Sequence, residues 1–131
     1  NIFEITGSAS TTVYVLRIVL QLGGSDTITL RKQSTADTVG TVVVPASVPL
    51  NSANSAATAG LKLYTVAPTP GTLVGNILQI TGTSLDMNFH GNNTIPVGPV
   101  QPVILSGVAQ SLAANLTTGA TVTGFVQWVE I

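Results

Sequence analysis

The sequence predicts an all-β fold, an antiparallel β-sandwich of jelly-roll type with about 8–10 short strands. Three observations support this prediction. Runs of β-branched and apolar residues alternate with polar residues, turn signals rich in Gly, Pro and Asn separate the runs, and helical periodicity is almost absent. The 131 residues form one predicted domain, 1–131, with neither an internal repeat nor a linker.

The first half of the chain supplies a strand pair and two shorter strands. Ile2–Thr6 is typical of an edge or joining strand, and Thr41–Val44 is a β-branched run that Pro45 stops. Thr11–Leu22 is the longest run, and Gly-Gly-Ser links it to Thr27–Lys32, which predicts a hairpin. We expect the core to receive the uniformly apolar face of the longest run, made of Tyr14, Leu16, Ile18, Leu20 and Leu22.

The middle of the chain alternates between strands and loops. Gln33–Gly40 is polar and predicts a loop, and the Gly/Asn/Pro-rich segment His90–Pro99 predicts another. Asn51–Gly60 consists of small residues and indicates either one short capped helix or an ordered loop. The remaining strands are predicted at Leu61–Ala67, Thr72–Ile80, Leu85–Phe89 and Pro102–Leu105.

The last segment, Gln110–Ile131, resembles a hairpin that turns at Thr117–Ala120 and closes the sandwich. Val122, Val126 and Trp128 share one face of its second strand, so we interpret Trp128 as a structural anchor in the core or in a subunit interface. An alternative is that Trp128, Tyr14 and Tyr64 form an aromatic platform for sugars. We expect the faces of this segment and of Thr11–Leu22 to close one core.

Charge is unusually scarce. Charged residues make up 7% of the chain, against about 25% in an average globular protein. A net charge of −1 without a basic cluster argues against nucleic acid as a partner. No apolar run reaches the length of a transmembrane helix, so no membrane partner is expected. Low charge favours a subunit of an assembly; the alternative is a neutral, Thr-rich surface without a partner.

A search for catalytic or ligand-binding residues gives no candidates. His90 is the only His, there is no Cys, and no P-loop Lys or Gly-x-Ser-x-Gly elbow occurs. The five carboxylates do not form a close pair in sequence; Asp26 and Asp37 follow small polar residues and fit turns. We therefore predict no enzyme, no catalytic residue, no metal site and no cofactor. The absence of an initiating Met and of a signal-like segment suggests that an N-terminal piece precedes the chain.

Several segments of the chain resemble a known group of proteins. They are LRKQSTADTVGT, the small-residue block before LKLYTVAPTPGTLVG, QPVILSGVAQSLAANL, and the ending VQWVEI. Together they are similar to small structural proteins of tailed bacteriophages, of the head decoration (cement) type. The likeness covers nearly the whole chain and includes no catalytic motif. The chain has fewer charged residues than the members of this group.

The resemblance implies a non-enzymatic virion protein that decorates the capsid exterior. It implies a homo-oligomer, most often a trimer, and the major capsid protein as a partner. The alternative is a receptor- or glycan-binding module of a phage fibre or spike. That alternative expects Gln33–Gly40 and His90–Pro99 to form an exposed recognition patch.

Overall fold

The computed structural model describes residues 1–89 and 102–131, and it confirms an all-β antiparallel fold without helices in these residues. The predicted loop His90–Pro99 lies outside the described residues. The eight strands are β1 Phe3–Thr6, β2 Thr12–Gln33, β3 Thr41–Val43, β4 Gly60–Val66, β5 Leu73–Asn88, β6 Val103–Ser106, β7 Ser111–Leu116 and β8 Val122–Glu130.

All eight strands belong to one hydrogen-bonded network, in the order β3-β4-β1-β7-β2-β5, with β6 and β8 also pairing with β2. Every pairing between strands is antiparallel. A sandwich of two sheets with jelly-roll topology stays a prediction, because these hydrogen bonds do not divide the strands into two separate sheets.

Strand β2 organises the fold and replaces the hairpin predicted at Gly23–Ser25. It runs for 22 residues, and a straight strand of that length would measure roughly 70 Å, about twice the diameter expected for such a domain. The strand must therefore bend. Its register with β5 slips between Gln21 and Asp26, where the predicted turn residues bulge out instead of reversing the chain.

A second irregularity in β2 changes which face is buried. Val15 pairs with Trp128 and Arg17 with Gln127, so Leu16 is an extra residue in the ladder with β8. Before this bulge Val13 and Val15 are buried, and after it the buried residues are Ile18, Leu20 and Leu22. The predicted apolar face was therefore wrong for Tyr14 and Leu16, because one inserted residue moves all preceding side chains to the opposite face.

The predicted C-terminal hairpin is also wrong. β7 pairs with residues 28–33 of β2, and β8 pairs with residues 13–22 of the same strand, while no pairing joins β7 to β8 among the described residues. The two strands follow one another along a single edge of β2, in the same direction. The predicted turn Thr117–Ala120 therefore bridges the bend in β2. The predicted closure of the first and last long strands around one core is confirmed.

β1 is central in the network, not an edge strand, because it pairs with β4 on one side and β7 on the other. Residues 51–59 form an irregular loop, so the loop interpretation of Asn51–Gly60 is confirmed. One cluster of buried side chains includes residues from both halves of β2, so the bent sheet encloses a single core. Its members are Phe3, Ile5, Val13, Val15, Ile18, Leu20, Leu22, Ile28, Leu30, Leu85, Met87, Phe89, Leu105, Leu112, Ala114 and Leu116.

Candidate interaction surface

The few charged side chains mostly serve the fold itself. The chain has nine charged residues of the Asp, Glu, Lys and Arg types, and eight of them form a hydrogen bond or an ion pair with another described residue. Three carboxylates, those of Glu4, Asp26 and Asp37, are buried. The exterior therefore carries even less free charge than the composition suggests.

Glu4 and Asp37, which lie 33 residues apart in the sequence, belong to one buried cluster. Glu4 Oε1 accepts the main-chain N–H of Asp37 at 2.8 Å, and Glu4 Oε2 accepts the Tyr64 hydroxyl at 3.0 Å. Lys62 Nζ lies 3.8 Å from Glu4 Oε2. The cluster ties β1 to β4 and to the segment that follows β2. Sequence spacing gave no sign of this carboxylate pair, because it depends on a contact between β1 and the distant segment that follows β2.

The Asp37 carboxylate is held by three donors. Gln33 Nε2 donates at 2.7 Å, Asn1 Nδ2 at 2.8 Å and the Gly71 main-chain N–H at 2.9 Å. The pKa of the Tyr64 hydroxyl is raised far above its usual range. Burial of Tyr64 is the larger cause, and the neighbouring Glu4 carboxylate is the second. Because local donors already bind both carboxylates, we interpret the cluster as a structural tie, not a catalytic dyad.

Asp26 holds the bend of β2 to the link between β7 and β8. Its carboxylate accepts the main-chain N–H groups of Thr27, Thr117, Thr118 and Ala120 at 2.7–3.1 Å. Burial disfavours the charged form, but these hydrogen bonds outweigh it and hold the pKa of Asp26 well below its usual range. The prediction of Asp26 as a turn residue is wrong, because Asp26 lies within β2 and pairs with Gly82 of β5.

Glu130 fastens the small-residue loop to β8. Its carboxylate accepts the N–H groups of Thr58 and Ala59 at 2.9 Å and the Trp128 Nε1–H at 2.9 Å. Burial opposes ionisation, but the bonds from Thr58, Ala59 and Trp128 lower the pKa of Glu130 to about 2. Trp128 also packs against the core, which confirms its prediction as a structural anchor.

The predicted aromatic platform does not assemble. Val15 is the partner of Trp128 and Tyr14 the partner of Val129, so Tyr14 and Trp128 lie on opposite faces of the sheet. The Tyr64 hydroxyl is bound to Glu4. A shallow cleft of about 280 Å³ is lined instead by small side chains and hydroxyls, including Ser8, Ser10, Thr11 and Ser106.

The outer face of β2 and β8 carries little charge and combines exposed apolar side chains with the neutral polar side chains of Gln21, Thr123 and Gln127. Phe125 is 47% exposed and Val129 is 42% exposed, and Ile104 on β6 lies across Tyr14 on the same face. One exposed ion pair, Arg17 Nη2 to Asp86 Oδ2 at 2.7 Å, crosses this face. The Arg17 guanidinium also lies 5.6 Å from the centre of the Phe125 ring, so its charge covers an aromatic face.

A second apolar surface follows β3. The segment Val44–Leu50, which we call the arm, has no strand partner among the described residues. Exposure alternates along it: Val44 is 72%, Val48 77% and Leu50 94% exposed, whereas Pro45, Ser47 and Pro49 are half-buried. The arm is thus an extended segment with its aliphatic side outward. None of the described residues covers its apolar side chains.

The outer strand edges differ in how they are protected against pairing with another chain. β3 has only three residues, and Pro45 follows shortly after it. β5 carries two extra residues, Val74 and Ile77, where its register with β2 slips. On β6, Lys32 Nζ donates to the Ile104 carbonyl at 2.7 Å, and Gln110 Oε1 accepts the Ser106 N–H at 3.1 Å.

β8 has none of these protections. It contributes nine residues without a Pro or a bulge of its own, and its only charged residue, Glu130, is already bound. Among the described residues it pairs with β2 alone. Its other edge, which no described strand pairs with, is therefore a ready site for another strand.

The predicted recognition loop Gln33–Gly40 is only partly open. Gln33 and Asp37 point into the buried cluster, and Val39, at a φ of 62°, is 81% exposed. In the described part of the chain, no group of three or more His, Cys, Asp or Glu side chains could hold a metal ion. No helix in the same residues is long and apolar enough to span a membrane. Comparisons with family models, curated proteins and solved structures gave no match.

Proposed function

We propose that the chain is a non-enzymatic structural protein of a tailed-phage virion that decorates and cements the capsid exterior as a homo-oligomer. The observation that carries this proposal is the neutral exterior. Most charged side chains are bound within the fold, and the exposed Arg17 and Asp86 pair with each other, while aliphatic side chains of the arm and of the β2–β8 face are exposed. A surface of this kind gains free energy when a partner covers it, at about 25 cal/mol per Å² of apolar area less the cost of ordering.

The arm is the part best suited to contact the major capsid protein. Its exposed side chains lie in one row, and no charged residue occurs between Asp37 and Lys62. An uncharged apolar row can lie over the joint between capsid subunits without desolvating ions. The resemblance of the sequence to decoration proteins points to the same role and implies a trimer.

The test is co-sedimentation with capsids of the phage that encodes the chain, assembled without it. We expect the wild-type chain to pellet with capsids and the variant Val44→Ser/Val48→Ser/Leu50→Ser to bind at least about tenfold more weakly, because apolar burial is lost. The matched control is Leu73→Ser/Val74→Ser, which removes two exposed aliphatic side chains from β5. Absence of wild-type binding, or equal losses in both variants, would contradict the proposal.

A further inference from the structure

We propose that β8 pairs with β8 of a second copy of this chain, antiparallel about a two-fold axis at Gln127. The pairing joins two sheets edge to edge through main-chain hydrogen bonds. It deepens the proposed assembly role and rests on it, because a neutral exterior is what makes self-association favourable. The occupant of the β8 edge is thus a like subunit, related by a closed, isologous contact, which makes the oligomer a dimer in place of the trimer that the resemblance implies.

The edges select β8 over the other strands. A short strand and Pro45 limit β3, the bulged residues Val74 and Ile77 deform β5, and Lys32 and Gln110 cap β6. β8 keeps a regular ladder with β2 from Val122 to Gln127, and the one offset beyond it comes from the extra residue Leu16 in β2. A regular edge without Pro or unpaired charge is the edge that a second strand can extend.

The side-chain pattern of β8 selects the register. With Gln127 opposite its copy, Phe125 lies opposite Val129 of the second copy on the outer face. On the inner face Val126 lies opposite Trp128 in the same way. Each aromatic side chain therefore meets a β-branched one, a favourable cross-strand pair. This register also keeps the two Glu130 carboxylates apart, because each Glu130 lies opposite Gly124 of the second copy, which has no side chain.

Exposure agrees with this register. Phe125 is 47% and Val129 42% exposed, and Val126 and Trp128 are half-buried against the core. With the axis at Gln127, the seven residues Gly124–Glu130 of β8 pair with their copies, over about 23 Å. The contact area is on the order of 1,000 Å² in total, at the low end of specific interfaces, so association depends on concentration.

The test compares two Gln residues that are both exposed on outer strands, Gln127 on β8 and Gln79 on β5. Gln127→Lys places two positive charges opposite each other at the axis, so we expect the dimer dissociation constant to rise at least about tenfold. Gln79→Lys leaves it unchanged. An equimolar mixture of Gln127→Lys and Gln127→Glu restores the dimer, because the opposed charges now attract. Sedimentation equilibrium gives the dimer dissociation constant of the wild type, of the two Lys variants and of the mixture. Circular dichroism checks that each sample is folded.

A cysteine variant tests the register directly, because the native chain has no Cys. At the axis the two Cα atoms are about 4.5–5.5 Å apart, within disulfide range. Gln127→Cys therefore oxidises to a covalent dimer, whereas Gln79→Cys does so only slowly. A wild-type monomer at all concentrations, a trimer, or equal behaviour of the two cysteine variants overturns the pairing.

Capsid binding is scored separately, so the two proposals fail in different ways. A β8-linked dimer that does not pellet with capsids overturns the decoration role and leaves the pairing. Capsid binding by a wild-type chain that is monomeric or trimeric in solution overturns the pairing and leaves the decoration role.

Discussion

β5 and β8 pair with opposite sides of β2. The outer edge of β5 is irregular, whereas the outer edge of β8 is regular. β5 contributes 16 residues but contains two bulged residues and two Gly residues, Gly75 and Gly82, with open space around them. β8 contributes nine residues in regular pairing. The difference shows that length alone does not make an edge available for association. Regular pairing does, because a second strand needs an unbroken row of N–H and C=O groups.

The largest expected effect comes from a glycine in β8. A Cβ on Gly124 would overlap the Val19 carbonyl oxygen on β2, whereas a Cβ on Gly82 in β5 has no atom within 4 Å. We expect Gly124→Ala to lower the free energy of unfolding by about 2–3 kcal/mol, because backbone atoms must move apart. Urea denaturation measures the change. Gly82→Ala is the control, with an expected change within about 0.5 kcal/mol or slightly stabilising; equal losses would contradict the close approach of β8 to β2.

A smaller effect separates the acidic residues of the two strands. Glu130 on β8 accepts main-chain N–H groups from Thr58 and Ala59, and Asp86 on β5 bonds the exposed Arg17. We expect Glu130→Gln to lower the free energy of unfolding by about 1 kcal/mol, because a neutral amide replaces a charged acceptor. Asp86→Asn should leave the urea midpoint unchanged, since exposed ion pairs contribute little. A larger loss of unfolding free energy for Asp86→Asn than for Glu130→Gln would show that the exposed ion pair, not Glu130, stabilises the fold more.

The smallest effect is a pH dependence. The pKa of Glu130 is lowered from 4.5 to about 2 in the fold, so the unfolded chain takes up its proton first as pH falls. The stability that Glu130 contributes is therefore complete above pH 4.5 and is lost progressively towards pH 2. Thermal unfolding across this window should show the wild type approaching Glu130→Gln at low pH. A stability difference between the wild type and Glu130→Gln that stays constant down to pH 2 would show that the charge of Glu130 does not stabilise the fold.

The strands were largely predictable from sequence because period-two patterns mark them directly, as in Thr11–Leu22 and Leu61–Ala67. Their connections were not. Gly23–Ser25 satisfies the pattern of a hairpin turn, yet it forms a bulge within β2. The strand continues because β2 pairs with β5 both before Gly23 and after Ser25, and because Asp26 is bound to the link between β7 and β8. The single extra residue Leu16 likewise leaves no signature in the pattern, and it reversed the predicted face.

The candidate surface was predictable only in character. Composition indicated an exterior with little charge, and Trp128 was correctly interpreted as an anchor. The buried cluster of Glu4 and Asp37 and the latch at Glu130 depend on contacts between distant segments, so no local pattern reveals them. Which edge is free depends on the order of strands, a property of the whole network that alternation along one strand does not encode.

The placement of β7 and β8 along one edge of β2 also bears on synthesis. The ribosome makes β2 early, but β2 lacks its neighbours on that edge until residues 111–130 have been made. A nascent chain therefore cannot finish its core, and it cannot present the regular edge of β8, before these residues emerge. On crowded polysomes, where partly made copies lie close together, that edge of β2 stays without its own neighbours until then, so strand exchange between copies is most favoured before residues 111–130 emerge.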